Sequence, residues 1–228
     1  MKSIKALLIV AFLFAGCVST HQIAVQHPER IVFLGDSITE LGGQPTGYVT
    51  LVADALKEKY GPKAPEVINA GVSGNKVTDL QLRLERDVLS KNPTVVVIYI
   101  GINDVWHFSM PGLKGTSKED YESGLRDIIS RCHAAGAKVI LCTPSVIGEK
   151  ANGENPQDQM LNEYAEISRK VARDTGTRLC DLHRLFIEYL MQHNPKDEHE
   201  GILTVDGVHL TDDGNRFVSG IMLKALGY

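Results

Sequence analysis

Apolar runs and amphipathic stretches alternate along the chain. Ile31-Val32-Phe33-Leu34 is continuous and stops at Gly35, the pattern of a buried strand closed by a turn residue. Residues 48–60 carry apolar side chains at 48, 49, 51, 52, 55 and 56, a helical period ended by Gly61-Pro62. Residues 66–70 read as a short second strand ending at Gly71. Residues 78–89 read as a helix whose apolar positions are Leu80, Leu82, Leu84, Val88 and Leu89. The strongest strand signal is 94–100, where Val95-Val96-Val97-Ile98 suits a central strand covered on both faces. A long loop, 101–117, holds Trp106 and His107. Residues 118–135 are helical and Gly136 caps them. A fourth strand at 137–142 leads into a second long loop, 143–155. Pro156 sits at a helix start, and that helix runs to about Asp174. A fifth strand at 177–181, a helix at 182–192, the polar stretch 194–200 and a last helix over 211–226, with Thr211 as N-cap, complete the chain.

Strands that alternate with helices predict a parallel sheet with helices on both faces. Right-handed crossovers place every strand's carboxyl end on one edge, where ligands of open α/β sheets bind. No internal repeat and no second domain is visible, so residues 30–228 are expected to form one domain, a size that suits 228 residues.

The first residues read separately from this fold. Met1-Lys2-Ser3-Ile4-Lys5 is basic, and 6–15 is an unbroken apolar run of ten residues, too short to span a bilayer but suited to a signal peptide. Ala15-Gly16-Cys17 resembles the end of a bacterial lipoprotein signal, with Cys17 lipidated; Phe14 departs from the usual Leu there. The alternative is an ordinary cleaved secretory signal. Residues 1–16 are thus expected to be removed, 17–29 to serve as a tether, and the mature protein to be exported to the cell envelope or periplasm, with any membrane contact made only through the N-terminal lipid anchor.

The formal net charge is −4; removing the two lysines of residues 1–16 leaves 22 basic against 28 acidic side chains, a formal charge of −6. With no basic block and a single Trp, neither a nucleic-acid footprint nor a stacking platform is present. Beyond Cys17, the three remaining cysteines have no metal-site spacing. Cys142 and Cys180 end apolar runs and read as buried thiols, a disulfide between them being the alternative.

Four turn-rich stretches follow strands and can reach the carboxyl edge: Gly35-Asp36-Ser37-Ile38, Gly71-Val72-Ser73-Gly74-Asn75, Gly101-Ile102-Asn103-Asp104 and Asp206-Gly207-Val208-His209. Ester hydrolysis by serine needs a hydroxyl, a base, a partner that orients the base, and donors for an oxyanion. Ser37 is a nucleophile or a helix cap. His209 is the best base, and Asp206, three residues earlier, can fold back to the ring nitrogen that faces away from the serine. Asn103 offers a neutral amide donor, Gly74 a backbone N–H that no side chain obstructs, and Ser37 its own N–H. Gly71 competes with Gly74 for the donor role, but it directly follows the strand and suits the start of the turn. Asp36 is expected to shape its turn. Asp104 either supports the Asn103 loop or contacts substrate. Of the other histidines, His107 alone lies in a loop that follows the central strand.

Taken in order, the four stretches resemble the sequence blocks of the SGNH, or GDSL-type, hydrolases, over about residues 30–215. The resemblance implies a flavodoxin-like three-layer α/β/α sandwich with a five-stranded parallel sheet, and a carboxylic ester hydrolase that needs no metal or organic cofactor. It implies a triad of Ser37, Asp206 and His209 and an oxyanion hole of Ser37, Gly74 and Asn103.

Loops 39–47, 101–117 and 143–155 are expected to set substrate choice. They are polar and glycine-rich, with a few apolar groups, among them Val105, Trp106, Phe108, Met110, Val146 and Ile147. That composition suits a short acyl group, and by analogy an O-acetyl group on a carbohydrate. The alternatives are a lysophospholipase or thioesterase acting on lipid esters, and a non-catalytic carbohydrate-binding protein on the same fold.

Overall fold

The computed structural model describes residues 29–150 and 153–228; the expected signal, Cys17 and nearly all of the tether lie outside the described residues. Strand β1 (Arg30–Gly35) leads through the short helix α1 (Ser37–Leu41) and α2 (Tyr48–Tyr60) to β2 (Glu66–Gly71). Then follow α3 (Val77–Asp87), β3 (Val95–Tyr99), α4 (Ile102–Trp106), α5 (Lys118–Ala134) and β4 (Lys138–Cys142). Helix α6 (Asp158–Thr175), β5 (Arg178–Cys180), α7 (Leu182–His193) and α8 (Asp212–Leu226) end the chain.

The five strands are parallel, in the order β2-β1-β3-β4-β5. Strands β1 and β3 lie centrally, and Ile31–Leu34 and Val96–Tyr99 are almost wholly buried, as continuous apolar runs covered on both faces must be. Helices α3, α5 and α6 pack in a row, while α2 packs on α8 and Phe186 and Tyr189 of α7 meet Phe217 of α8. Right-handed crossovers put the two groups on opposite faces. The chain moves outward from β1 to β2, then returns past β1 to β3. That reversal opens a crevice beyond the carboxyl ends of β1 and β3.

Helices α2 and α7 match their expected spans to within a residue, and Thr211 caps α8 by accepting from Gly214 N. Cys132, Cys142 and Cys180 are free, buried thiols; Cys142 and Cys180 are neighbours in register on β4 and β5. Other expectations change. Leu82 is 87% exposed: it lies two residues, about 200° of helical turn, from both Leu80 and Leu84, which are fully buried. Loop 101–117 begins with the short helix α4, and 39–47 with the end of α1. Helix α6 starts at Asp158, with Pro156 in the turn before it. Val105, Val146 and Ile147, expected in substrate loops, are buried in the core: Val105 lies on the buried face of α4, and 143–149 runs inward as a wholly buried segment. No helix among the described residues is long and apolar enough to cross a membrane.

Helix α1 folds back over the ends of two strands. Asp36 is its N-cap, accepting from Ile38 N at 3.0 Å. Gly35 and Gly71 are partners in the β1–β2 register, and α1 lies so close that a Cβ on Gly71 would stand 2.1 Å from Glu40 N. Gly71→Ala therefore forces α1 backbone to move. The expected cost is about 1–3 kcal/mol, read as a fall in thermal midpoint of roughly 2–4 °C per kcal/mol; an unchanged midpoint would show that α1 is not held against the strand ends.

Asp36 carries a second consequence. Burial, reinforced by the nearby Asp104 carboxylate, pushes its carboxyl up to about 7 despite the Ile38 N–H. In the unfolded chain the same group loses its proton near 3.9, so between about pH 4 and 7 the native state holds the extra proton and stability falls as pH rises. Asp36→Asn removes that contribution while keeping a capping side chain. Relative to wild type, the variant's urea midpoint should improve steadily from pH 5 to pH 8; parallel pH profiles would refute the assignment.

Candidate active site

The stretches expected to carry chemistry arrive at the same edge of the sheet by four routes. Ser37 opens α1, immediately beyond β1. Gly74 lies in the turn after β2. Asn103 stands in the first turn of α4, beyond β3. Asp206 and His209 lie in the turn before α8, where Val205 N donates to His209 O and Thr204 bridges Leu210.

Ser37 Oγ is 2.9 Å from His209 Nε2, and His209 Nδ1 is 2.7 Å from Asp206 Oδ2. Asp206 Oδ1 also accepts from the backbone N–H of His209 at 2.8 Å and of Val208 at 3.0 Å. Partial burial acts to raise the Asp206 carboxyl, but the hydrogen bonds from the His209 ring and the two amides outweigh it, and the group is held below the usual carboxylate range. An ionised carboxylate can only accept, so the imidazole proton belongs on Nδ1. Nε2 is then free to accept from the Ser37 hydroxyl. The choice left open for Ser37 resolves against capping: the cap of α1 is Asp36.

Ser37 N–H is the first amide of α1 and has no acceptor among the described hydrogen bonds. Gly74 has φ +75° with open space where a side chain would stand, and its N–H has no acceptor among the described hydrogen bonds. Gly71 differs: its N–H donates to Asn69 Oδ1 at 2.8 Å and its Cα is pressed on α1. Asn103 is buried, and its Nδ2 donates one hydrogen to Asn75 O at 3.1 Å, leaving the second. The Asp104 carboxylate accepts from Val77 N at 3.2 and 3.3 Å, so it ties the Asn103 segment to the start of α3. Burial pushes its carboxyl up to about 6. His107 ends α4 and makes no described hydrogen bond to Ser37, Asp206 or His209; burial holds its ring below the usual value.

Several groups around the site carry no sequence motif. Trp106 packs edge-on against the His209 ring, centroids 6.3 Å apart. Glu149 is fully buried and accepts from Ile202, Leu203 and Thr204 N at 2.6–2.7 Å, which anchors the segment leading into Asp206. Glu40 of α1 accepts from Ser73 N and from the Ser73 hydroxyl, fixing the turn that carries Gly74. All three lie in expected substrate loops, and Trp106, as the single tryptophan, is the one marked there by its residue type.

A solved structure of an acetyl xylan esterase, AlAXEase, matches with a TM-score of 0.84 at 46% identity, covering 86% of this chain and 99% of that one. An acetylxylan esterase of Geobacillus stearothermophilus is 31% identical over 88% of this chain and 94% of its own. An uncharacterized lipoprotein, YqeF, of Bacillus subtilis is 26% identical over 96% of this chain and 95% of its own. The model of the GDSL-like lipase/acylhydrolase family matches residues 33–217, which takes in all four site stretches. The chain belongs to the GDSL-like lipase/acylhydrolase family and is a carboxylic ester hydrolase.

Proposed function

We propose that this chain hydrolyses short acyl esters, O-acetyl groups of carbohydrates first among them, through an acyl-enzyme on Ser37. The observation that carries the reading is the pair of hydrogen bonds joining Ser37 Oγ to His209 Nε2 and His209 Nδ1 to Asp206, at 2.9 and 2.7 Å, at the sheet's switch point. His209 Nε2 takes the hydroxyl proton as Oγ attacks the ester carbonyl, and Asp206 stabilises the imidazolium that forms. The tetrahedral oxyanion is held by the N–H groups of Ser37 and Gly74 and by the free hydrogen of Asn103 Nδ2. The alcohol leaves with the proton from His209, and water repeats the sequence on the acyl-enzyme. Asp104 and Asp36 stay outside this proton path, bonded to the backbone. The acetyl preference is supported by the two acetylxylan esterases above.

Hydrolysis of p-nitrophenyl esters from acetate to palmitate, followed by acetate release from acetylated xylan, tests this. Activity should be greatest on acetate, and Ser37→Ala should lower it by roughly 10⁴- to 10⁶-fold. A preference for long chains would transfer the reading to lipid esters. Equal inactivity of wild type and variant would return it to a carbohydrate-binding protein.

Export belongs to the same proposal. Residues 1–16 act as a signal and Cys17 receives the lipid, a reading supported by the lipoprotein relative. Labelled palmitate fed to a bacterial host should enter the protein and be lost in Cys17→Ser; labelling that persists in the variant would remove the anchor.

A further inference from the structure

Arg83 lies on α3, outside every stretch that carries chemistry, yet its side chain is only 7% exposed. Its guanidinium makes three hydrogen bonds to the ends of two strands and to the turn beyond them. Nη2 donates to Gly35 O at 2.8 Å, Nη1 to Ala70 O at 2.8 Å, and Nε to Asn75 Oδ1 at 2.6 Å. The remaining partner is Asp87, one turn along α3, at 3.2 Å.

Each of those acceptors sits close in the chain to a proposed oxyanion donor. Gly35 O belongs to the peptide that enters Asp36, next to Ser37. Ala70 O lies in the last peptide of β2, four residues before Gly74. Asn75 follows Gly74 directly, and its own carbonyl receives Asn103 Nδ2 at 3.1 Å. The Asn103 amide is therefore aimed by a carbonyl whose residue is gripped by Arg83. We infer that Arg83 is a positioning residue that sets the three oxyanion donors in one mutual geometry; the inference rests on the serine esterase reading above.

The residue type follows from the task. Three acceptors approach from different directions in a buried place, and only a planar guanidinium offers enough donors in a rigid fork while staying charged. A lysine ammonium is a compact point charge that reaches such widely placed acceptors poorly. Misplacing oxyanion donors costs transition-state binding and leaves ground-state binding largely intact.

The test measures kcat and KM on p-nitrophenyl acetate for Arg83→Lys, Arg83→Met, Asn75→Ala, Asn75→Asp and Asn103→Ala, well below each thermal midpoint. Arg83→Met should lower kcat by about 10²- to 10³-fold, comparable with Asn103→Ala, with KM changed less than about three-fold. Arg83→Lys should not restore it. Asn75→Ala, which keeps the backbone carbonyl, should lose about ten-fold in kcat, and Asn75→Asp, which keeps an acceptor for Nε, should recover most of that. The Arg83→Met/Asn103→Ala double variant should lose little more than the worse single one, because both act on one device.

A folded Arg83→Met or Arg83→Lys with wild-type kcat, a loss confined to KM, or fully multiplicative losses with Asn103→Ala would each overturn the inference. If the Arg83 variants do not fold, the Asn75 pair decides: equal kcat in Asn75→Ala and wild type overturns it. Ser37→Ala separates the two levels. Wild-type activity in that variant removes the serine esterase reading itself, whereas an inactive Ser37→Ala beside unaffected Arg83 and Asn75 variants removes only the role of Arg83.

Discussion

Where a buried parallel sheet stops, its last backbone groups lose their ladder partners in a place that water does not reach. The site is built on the answer to that constraint. Buried polar groups left unpaired cost about 1–3 kcal/mol each, so the chain must bring donors and acceptors to the edge from elsewhere. It brings ionic ones. Arg83 supplies hydrogens to Gly35 O and Ala70 O, Asp36 accepts from Ile38 N, Asp104 from Val77 N, and Glu149 from three successive amides. These bonds satisfy backbone at the ends of β1 and β2, at the starts of α1 and α3, and in the segment before Asp206. Each also fixes a segment that carries a proposed catalytic or oxyanion group.

Using charge for this task has a cost, and the site carries it visibly. Asp36 and Asp104 are buried carboxyls whose affinity for protons is raised, to about 7 and about 6, because burial opposes their ionised forms. Amide or hydroxyl side chains at these positions would avoid that cost. Each carboxyl nevertheless accepts from a backbone N–H, Ile38 N at 3.0 Å and Val77 N at 3.2 Å. Bonds at a few fixed points suit a place where groups from strands far apart in sequence must meet within a fraction of an ångström.

What the sequence made legible follows from range. Strands β1, β3 and β4 announce themselves as continuous apolar runs, and α2 and α8 by period and cap, all local signals. Asp206 and His209 are three residues apart, so their bond too is local. Helices α1 and α4 are five residues each, shorter than any period can reveal; α1 is held on the sheet by its Asp36 cap and by the close approach of Gly35 and Gly71, and α4 is entered through Gly101 at φ +128°. Leu82 departs from its expected apolar face because alternating leucines in a helix cannot all face inward. Arg83 and Glu149 carry no local signal, because their partners lie up to 48 and 55 residues away; in the sequence each is simply one more charged residue.

The burial pattern also explains how a rigid scaffold can serve wet chemistry. Arg83, Asn103, Asp104 and Glu149 are all buried, whereas the His209 and Asp206 side chains are 23% and 44% exposed. An exposed ion pair gains little from its charges alone, so the value of Asp206 lies in direction. Two backbone amides hold one carboxylate oxygen while the other holds Nδ1, and the ring is left with one useful orientation. Trp106 covers that ring from one side and shields it without sealing it. Under the proposed mechanism this is the required compromise, since the second half of each turnover needs water to reach His209. The oxyanion donors need the opposite, a setting that does not reorganise as charge develops, and the buried Arg83 and Asp104 are accordingly bonded to the segments that carry them.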